Sequence, residues 1–129
     1  MFLLLQLAHV IEGRLEAALN TVELSTPKFS ALTMLVEGGE PLSLSELAEQ
    51  MTCVRSNITQ LVDRLEVDGL VVRVEDPKDR RSVRAAVTVL GRERQAAGAR
   101  RVKEVQQEVA KAFSGVNTEA LERGLEALK

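Results

Sequence analysis

Few residues in this 129-residue chain carry the chemistry of a reactive centre. There is one histidine, His9, and one cysteine, Cys53. One of each cannot assemble a typical zinc site. No Ser-His-Asp set, Cys-His pair or glycine-rich phosphate loop accompanies them. The expectation is a non-enzyme with no metal and no cofactor. What remains is recognition chemistry. Arg55, Ser56, Asn57, Thr59 and Gln60 gather at the start of one predicted helix, with Arg64 a turn beyond Gln60. Lys78, Asp79, Arg80 and Arg81 follow in a charged loop. Small polar side chains at a helix N-terminus suit base edges in a major groove. Paired arginines at a hairpin tip suit phosphates or a narrow minor groove.

The stretch from Pro41 to Thr88 must position these groups. Ser43 opens a short helix, and Glu46 three residues later completes a capping box. Leu44, Leu47, Ala48 and Met51 form its apolar stripe. Thr52-Cys53-Val54 reads as a turn. A second helix runs from about Arg55 to Asp68, burying Ile58, Leu61, Val62 and Leu65 at helical spacing. Gly69 is placed to end it in the left-handed conformation. Leu70–Val74 and Ser82–Val87 read as the strands of a hairpin, with residues 75–81 as the loop between them.

On either side lie longer helices. Residues 2–20 carry Leu4, Leu7, Ala8, Ile11, Leu15, Ala18 and Leu19 on one face, widened by Leu3, Leu5 and Val10. That much apolar surface on one helix implies burial against a second subunit. Ser25 caps the next helix, with Pro27 in its first turn and Gly38-Gly39 at its end. Thr88 is the candidate cap of a long helix to about Phe113, striped by Val102, Val105, Val109 and Ala112. Gly91 and Gly98 interrupt it at roughly 1 kcal/mol each, which points to a close helix contact or a bend. Asn117 caps a final helix with Ala120, Leu121, Leu125 and Leu128 on one side. The predicted organisation is one integrated domain: residues 1–24 and 89–129 as a helical dimerisation region, and 25–88 as the nucleic-acid-binding region.

Composition limits the choices further. Aromatics are 2% and Trp and Tyr are absent, so the core must be aliphatic. The net charge of −2 does not advertise a nucleic-acid binder, but its distribution is uneven. Residues 1–52 hold two basic and seven acidic residues, whereas 53–92 hold eight and six. The acidic third must therefore face away from a duplex. A single cysteine fits a reducing cytoplasm. The apolar run from Phe2 to Ile11 lacks a basic lead and a cleavage site, and Glu12 and Arg14 end it short of a membrane span.

Together these residues resemble the MarR family of bacterial transcriptional regulators. The resemblance is carried by Pro-Leu-Ser-Leu-Ser-Glu-Leu-Ala-Glu at 41–49, Arg-Ser-Asn-Ile-Thr at 55–59 and Leu-Val-Asp-Arg-Leu-Glu at 61–66. Asp-Gly-Leu-Val at 68–71 and Asp-Pro-Lys-Asp-Arg-Arg-Ser-Val at 76–83 complete it. It implies a mainly α fold with a small β-hairpin wing, a winged helix-turn-helix whose N- and C-terminal helices form the dimerisation region. It further implies a homodimer on a pseudo-palindromic operator in double-stranded DNA, acting as a repressor and released by a small-molecule effector. In this family the arginine before the Ser-Val pair, here Arg81, enters the minor groove, held by the aspartate two residues earlier, here Asp79. Two positions depart from the pattern. Val54 stands where the family usually has a Ser or Asp cap, and Gln60 where it often has Arg.

Several residues keep two readings. Arg80 and Arg81 are DNA contacts or solvated hairpin charges. Asp63 and Arg64 form surface ion pairs, or Asp63 pairs with a wing arginine and fixes the hairpin angle while Arg64 reaches a phosphate. Cys53 is a redox-sensitive thiol or a small buried hydrophobe. His9 lines an effector pocket or is simply solvent-facing or packed. Arg100, Arg101 and Lys103 read as a solvated helix face. The rival function is a winged-helix protein-interaction module that has lost DNA binding.

Overall fold

The computed structural model describes residues 2–51 and 55–129, and for Arg55, Ser56, Arg80 and Arg81 it describes the backbone alone. The chain is mainly helical with one small antiparallel sheet, a winged helix-turn-helix. In order it runs α1 (Phe2–Asn20), α2 (Thr26–Gly38), β1 (Leu42–Ser43), α3 (Leu44–Met51), α4 (Arg55–Val67), β2 (Val71–Asp76), β3 (Asp79–Val87), α5 (Val89–Ala112) and α6 (Thr118–Leu128). The turn expected at Thr52-Cys53-Val54 lies outside the described residues. So does the effect of a valine in place of a polar cap at Val54.

Local chemistry sets the helix ends. Ser25 Oγ accepts the Lys28 amide at 3.3 Å, and Gly39 closes α2 at φ +73°. The capping box forms in both directions: Ser43 Oγ accepts the Glu46 amide at 3.1 Å, and Glu46 Oε2 accepts the Ser43 amide at 3.4 Å. Helix α4 ends at Val67, one residue before the expected Asp68. Gly69, at φ +77°, then donates to the Glu66 carbonyl and Leu70 donates to the Leu65 carbonyl, a complete Schellman closure with both leucines buried. Thr88 Oγ1 accepts the Gly91 amide at 3.0 Å, and Asn117 Oδ1 accepts that of Ala120 at 3.2 Å.

The sheet corrects the sequence reading in two ways. It has three strands in the order β1-β3-β2, not the two of a hairpin alone. Leu42 and Ser43 pair with Ala85 and Arg84. A two-residue strand is too short to show a period, so nothing in the pattern marked it. The hairpin is also longer than expected. Its strands reach Asp76 and restart at Asp79, leaving only Pro77-Lys78 as the turn. Asp76 Oδ1 accepts the Lys78 amide at 2.9 Å and tightens that turn. The arginine pair therefore follows the tip within β3. The ladder steps from Glu75↔Val83 to Asp76↔Asp79, so residues 80–82 form an irregularity in β3.

The core is aliphatic and lies where α2, α3, α4 and the sheet meet; Leu32, Leu47, Ile58, Val62, Leu65 and Leu70 are fully buried. Helix α5 reaches it through its glycines. A Cβ on Gly98 would lie 2.8 Å from the Phe29 ring, and one on Gly91 would run into the Leu70 carbonyl. The close approach is thus what these glycines permit. The outer parts of α1 and α6 contribute little to this core. Phe2, Leu3 and Leu5 are exposed, as are Leu121, Leu125 and Leu128. Among the described residues, no helix is long and apolar enough to cross a membrane.

Candidate nucleic-acid interface

Helix α4 buries Ile58, Val62 and Leu65, with Leu61 half-buried against the same core. Asn57, Thr59, Gln60 and Arg64 are all exposed. At roughly 100° per residue, Asn57, Gln60 and Arg64 fall within about 60° of one another around the helix. Four of the six residues singled out on this helix are thus exposed, three of them along one edge and Thr59 about 100° or more around the helix from these. Arg55 and Ser56 open the helix, and their side chains lie outside the described set.

The hairpin is tied to this helix by a residue that sequence reasoning did not single out. Arg73 on β2 donates from Nη2 to Asp63 Oδ1 at 2.5 Å and from Nη1 to Glu66 Oε1 at 2.7 Å. Its amide also donates to Glu66 Oε2 at 3.2 Å. Of the two readings held for Asp63, the pairing with a wing arginine is the one observed. The bond from Asp63 holds the Arg73 guanidinium above its ordinary pKa, against the opposing effect of burial, with Glu66 adding to it. The arrangement also offsets negative charge on α4. Lys28 bonds Asp68 just past the other end of the helix, Nζ to Oδ2 at 2.8 Å.

A second arginine, also missed from sequence, braces the far side of the hairpin. Arg84 Nε donates to Asp76 Oδ2 at 3.2 Å, while Nη1 donates to the Pro41 carbonyl at 3.2 Å and to Glu46 Oε2 at 3.4 Å. Asp76 has a lowered pKa, first because it accepts the Lys78 amide and then because Arg84 lies beside it, with desolvation opposing. Partners 38 and 43 residues apart left no local signal. Lys78 and Asp79 are exposed at the turn. Arg80 and Arg81 lie in β3, with side chains outside the described set, so the expected Asp79–Arg81 contact falls there too.

His9 is exposed on α1. A groove of ≈ 210 Å³ between α1 and α5 is lined by Leu7, Val10, Ile11, Arg14, Glu108, Val109, Ala112 and Phe113, without His9. Arg14 and Glu108 form an ion pair across it. No group of three His, Cys, Asp or Glu among the described residues is placed to hold a metal ion.

Comparison with known proteins agrees with this geometry. The sequence pattern of the MarR family matches residues 24–83, the stretch that holds α3, α4 and most of the hairpin. A MarR-family transcriptional regulator from Rhodococcus sp. RHA1 superposes with a TM-score of 0.78 at 30% identity, covering 98% of this chain and 87% of that one. This chain belongs to the MarR family. Its fold is that of transcriptional regulators. CouR from Rhodococcus jostii RHA1, solved with p-coumaroyl-CoA, is 31% identical with a TM-score of 0.79, covering 98% and 87% of the two chains. The repressor CouR bound to a 23-mer DNA duplex superposes with a TM-score of 0.85 at 26% identity, covering 98% and 89%. The chain spans about half the length of the curated relatives it matches.

Proposed function

We propose that this chain is one protomer of a homodimer that binds a pseudo-palindromic operator and represses transcription, with release by a small-molecule effector. The observation that carries this reading is the exposed polar edge of α4, held against the hairpin by Arg73. In this arrangement Arg55, Ser56, Asn57, Thr59 and Gln60 read bases or phosphates in the major groove, with Arg64 on a phosphate. Lys78, Arg80 and Arg81 grip the flanking backbone and minor groove, with Asp79 orienting Arg81. The likeness to a repressor bound to duplex DNA supports it.

Residues 1–24 and 89–129 serve as the dimerisation region and 25–88 as the DNA-binding region. The support is the apolar surface of α1 and α6, where Phe2 is 80% and Leu128 is 88% exposed in the single protomer. Two such protomers place their α4 helices about 34 Å apart, one duplex turn. The effector reading draws on the apolar α1–α5 groove and on the relative solved with p-coumaroyl-CoA. A cytoplasmic site of action follows from a DNA target.

The test is selection from a random duplex library with the purified protein. Enrichment of an inverted repeat supports the regulator. Absence of any enriched site sinks it and favours the protein-interaction module. A panel of aromatic acids and their thioesters, scored for a shift in operator affinity, tests the effector.

A further inference from the structure

Arg84 sits midway along the central strand, opposite Ser43 of β1 and Val74 of β2. Its guanidinium nevertheless reaches past the irregularity at residues 80–82 to Asp76, whose other oxygen accepts the Lys78 amide in the hairpin turn. In the other direction it holds the Pro41 carbonyl and the Glu46 carboxylate, and Glu46 is the capping residue of α3. One planar cation therefore joins the tip of the hairpin to the start of the helix-turn-helix. Arg84 and Asp76 are sheltered, 28% and 14% exposed, while Glu46 is 44% exposed. Arg80 and Arg81 lie in the segment that this brace spans.

We propose that Arg84 is a positioning residue for DNA binding: it fixes the hairpin against α3 across the interrupted ladder and so places Arg81 on the duplex. The inference rests on the reading of the hairpin as a DNA-binding wing. Without the brace, the hairpin beyond Glu75 is held by a disrupted ladder, and the arginines sample orientations that miss the groove. A lysine cannot replace it. The Nε and Nη1 protons point at different partners in a fixed fork, whereas an ammonium is a single point charge.

The experiment is a double-mutant cycle on affinity for the operator duplex recovered by selection, at one salt concentration. Arg81→Ala is measured in the wild-type, Arg84→Met, Arg84→Lys and Asp76→Asn backgrounds. Far-UV circular dichroism and urea midpoints of each protein report folding. In the wild-type background Arg81→Ala is expected to weaken binding about 10-fold, the size of one lost specific contact. In the three altered backgrounds the same change should cost less than about 3-fold, because the contact is already forfeited. Asp76→Asn keeps the test decisive if the Arg84 variants fold poorly. An undiminished 10-fold penalty in all backgrounds overturns the positioning role and leaves the wing intact. No penalty in the wild type removes the wing reading, and this inference falls with it. Failure of selection to enrich any duplex does the same.

Discussion

Replacing Gly91 and Gly98 with alanine should have very unequal consequences for two residues that look alike in sequence. Both lie in α5, and alanine gains up to about 1 kcal/mol in helix propensity at such positions. At Gly91 the new methyl meets the Leu70 carbonyl group and lies 2.7 Å from Val87 Cγ2. That carbonyl cannot retreat. Leu70 is fully buried, its amide is bonded to Leu65, and its oxygen accepts the Thr88 amide at 3.0 Å. Relief requires lifting the first turn of α5, which breaks the Thr88 amide bond and the 2.7 Å bond from Thr88 Oγ1 to the Gly69 carbonyl. Overpacking costs about 1–3 kcal/mol, and a lost hydrogen bond about 1. With both bonds lost and the propensity gain subtracted, the net loss is about 2–4 kcal/mol. At Gly98 the obstacles are the ring of Phe29, 2.8 Å away and only half-buried, and Leu24 Cδ1 at 3.0 Å; both are ends of side chains that can shift by a few tenths of an ångström, unlike a backbone carbonyl. There the terms nearly cancel, to within about 1 kcal/mol. Urea denaturation at one fixed protein concentration measures both, since a dimer's midpoint depends on concentration. Equal losses, or a larger loss for Gly98→Ala, would refute the argument.

Three further outcomes are expected. Arg73→Met should lower stability by only about 1–2 kcal/mol, because its carboxylate partners are partly solvated. It should nevertheless weaken operator binding at least about 10-fold by freeing the hairpin and baring Asp63 and Glu66, as fluorescence anisotropy with a labelled duplex would report. Asp76 has a depressed pKa in the folded protein, so its stabilising contribution is fully present above the unfolded value of about 3.9 and is lost as pH falls through the folded one. Asp76→Asn should therefore be less stable than wild type at pH 7, with the difference closing below about pH 4. A gap that persists undiminished at lower pH would count against that linkage. If the proposed dimer forms through these helices, Leu125→Glu with Leu128→Glu should convert it to monomer in sedimentation velocity while leaving the far-UV spectrum intact, since both side chains are already exposed in the protomer.

Much of this protein was legible in one dimension because the deciding interactions are short. Ser25, Ser43 with Glu46, Thr88 and Asn117 each bond an amide three residues away, so composition at fixed offsets reveals them. Gly69 ends α4 for an equally local reason, and the burial of Ile58, Val62 and Leu65 follows from helical period. The charged end of the hairpin was less readable. Its ladder continues through charged residues with no apolar alternation to mark a strand, so the sequence reads as a seven-residue loop where the structure has a two-residue turn.

The amino-acid order alone determined the helices, their caps, the aliphatic core and the polar edge that makes this chain resemble its family. Tertiary structure alone decided how those parts face one another. Strand β1 exists only because β3 arrives to pair with it, and Arg73 and Arg84 become braces only when folding brings them to Asp63, Glu66, Glu46 and Pro41. An arginine carries the same five donors wherever it stands in a chain. Which carboxylates it meets depends on contacts between distant segments, and those come from packing the core rather than from any local propensity.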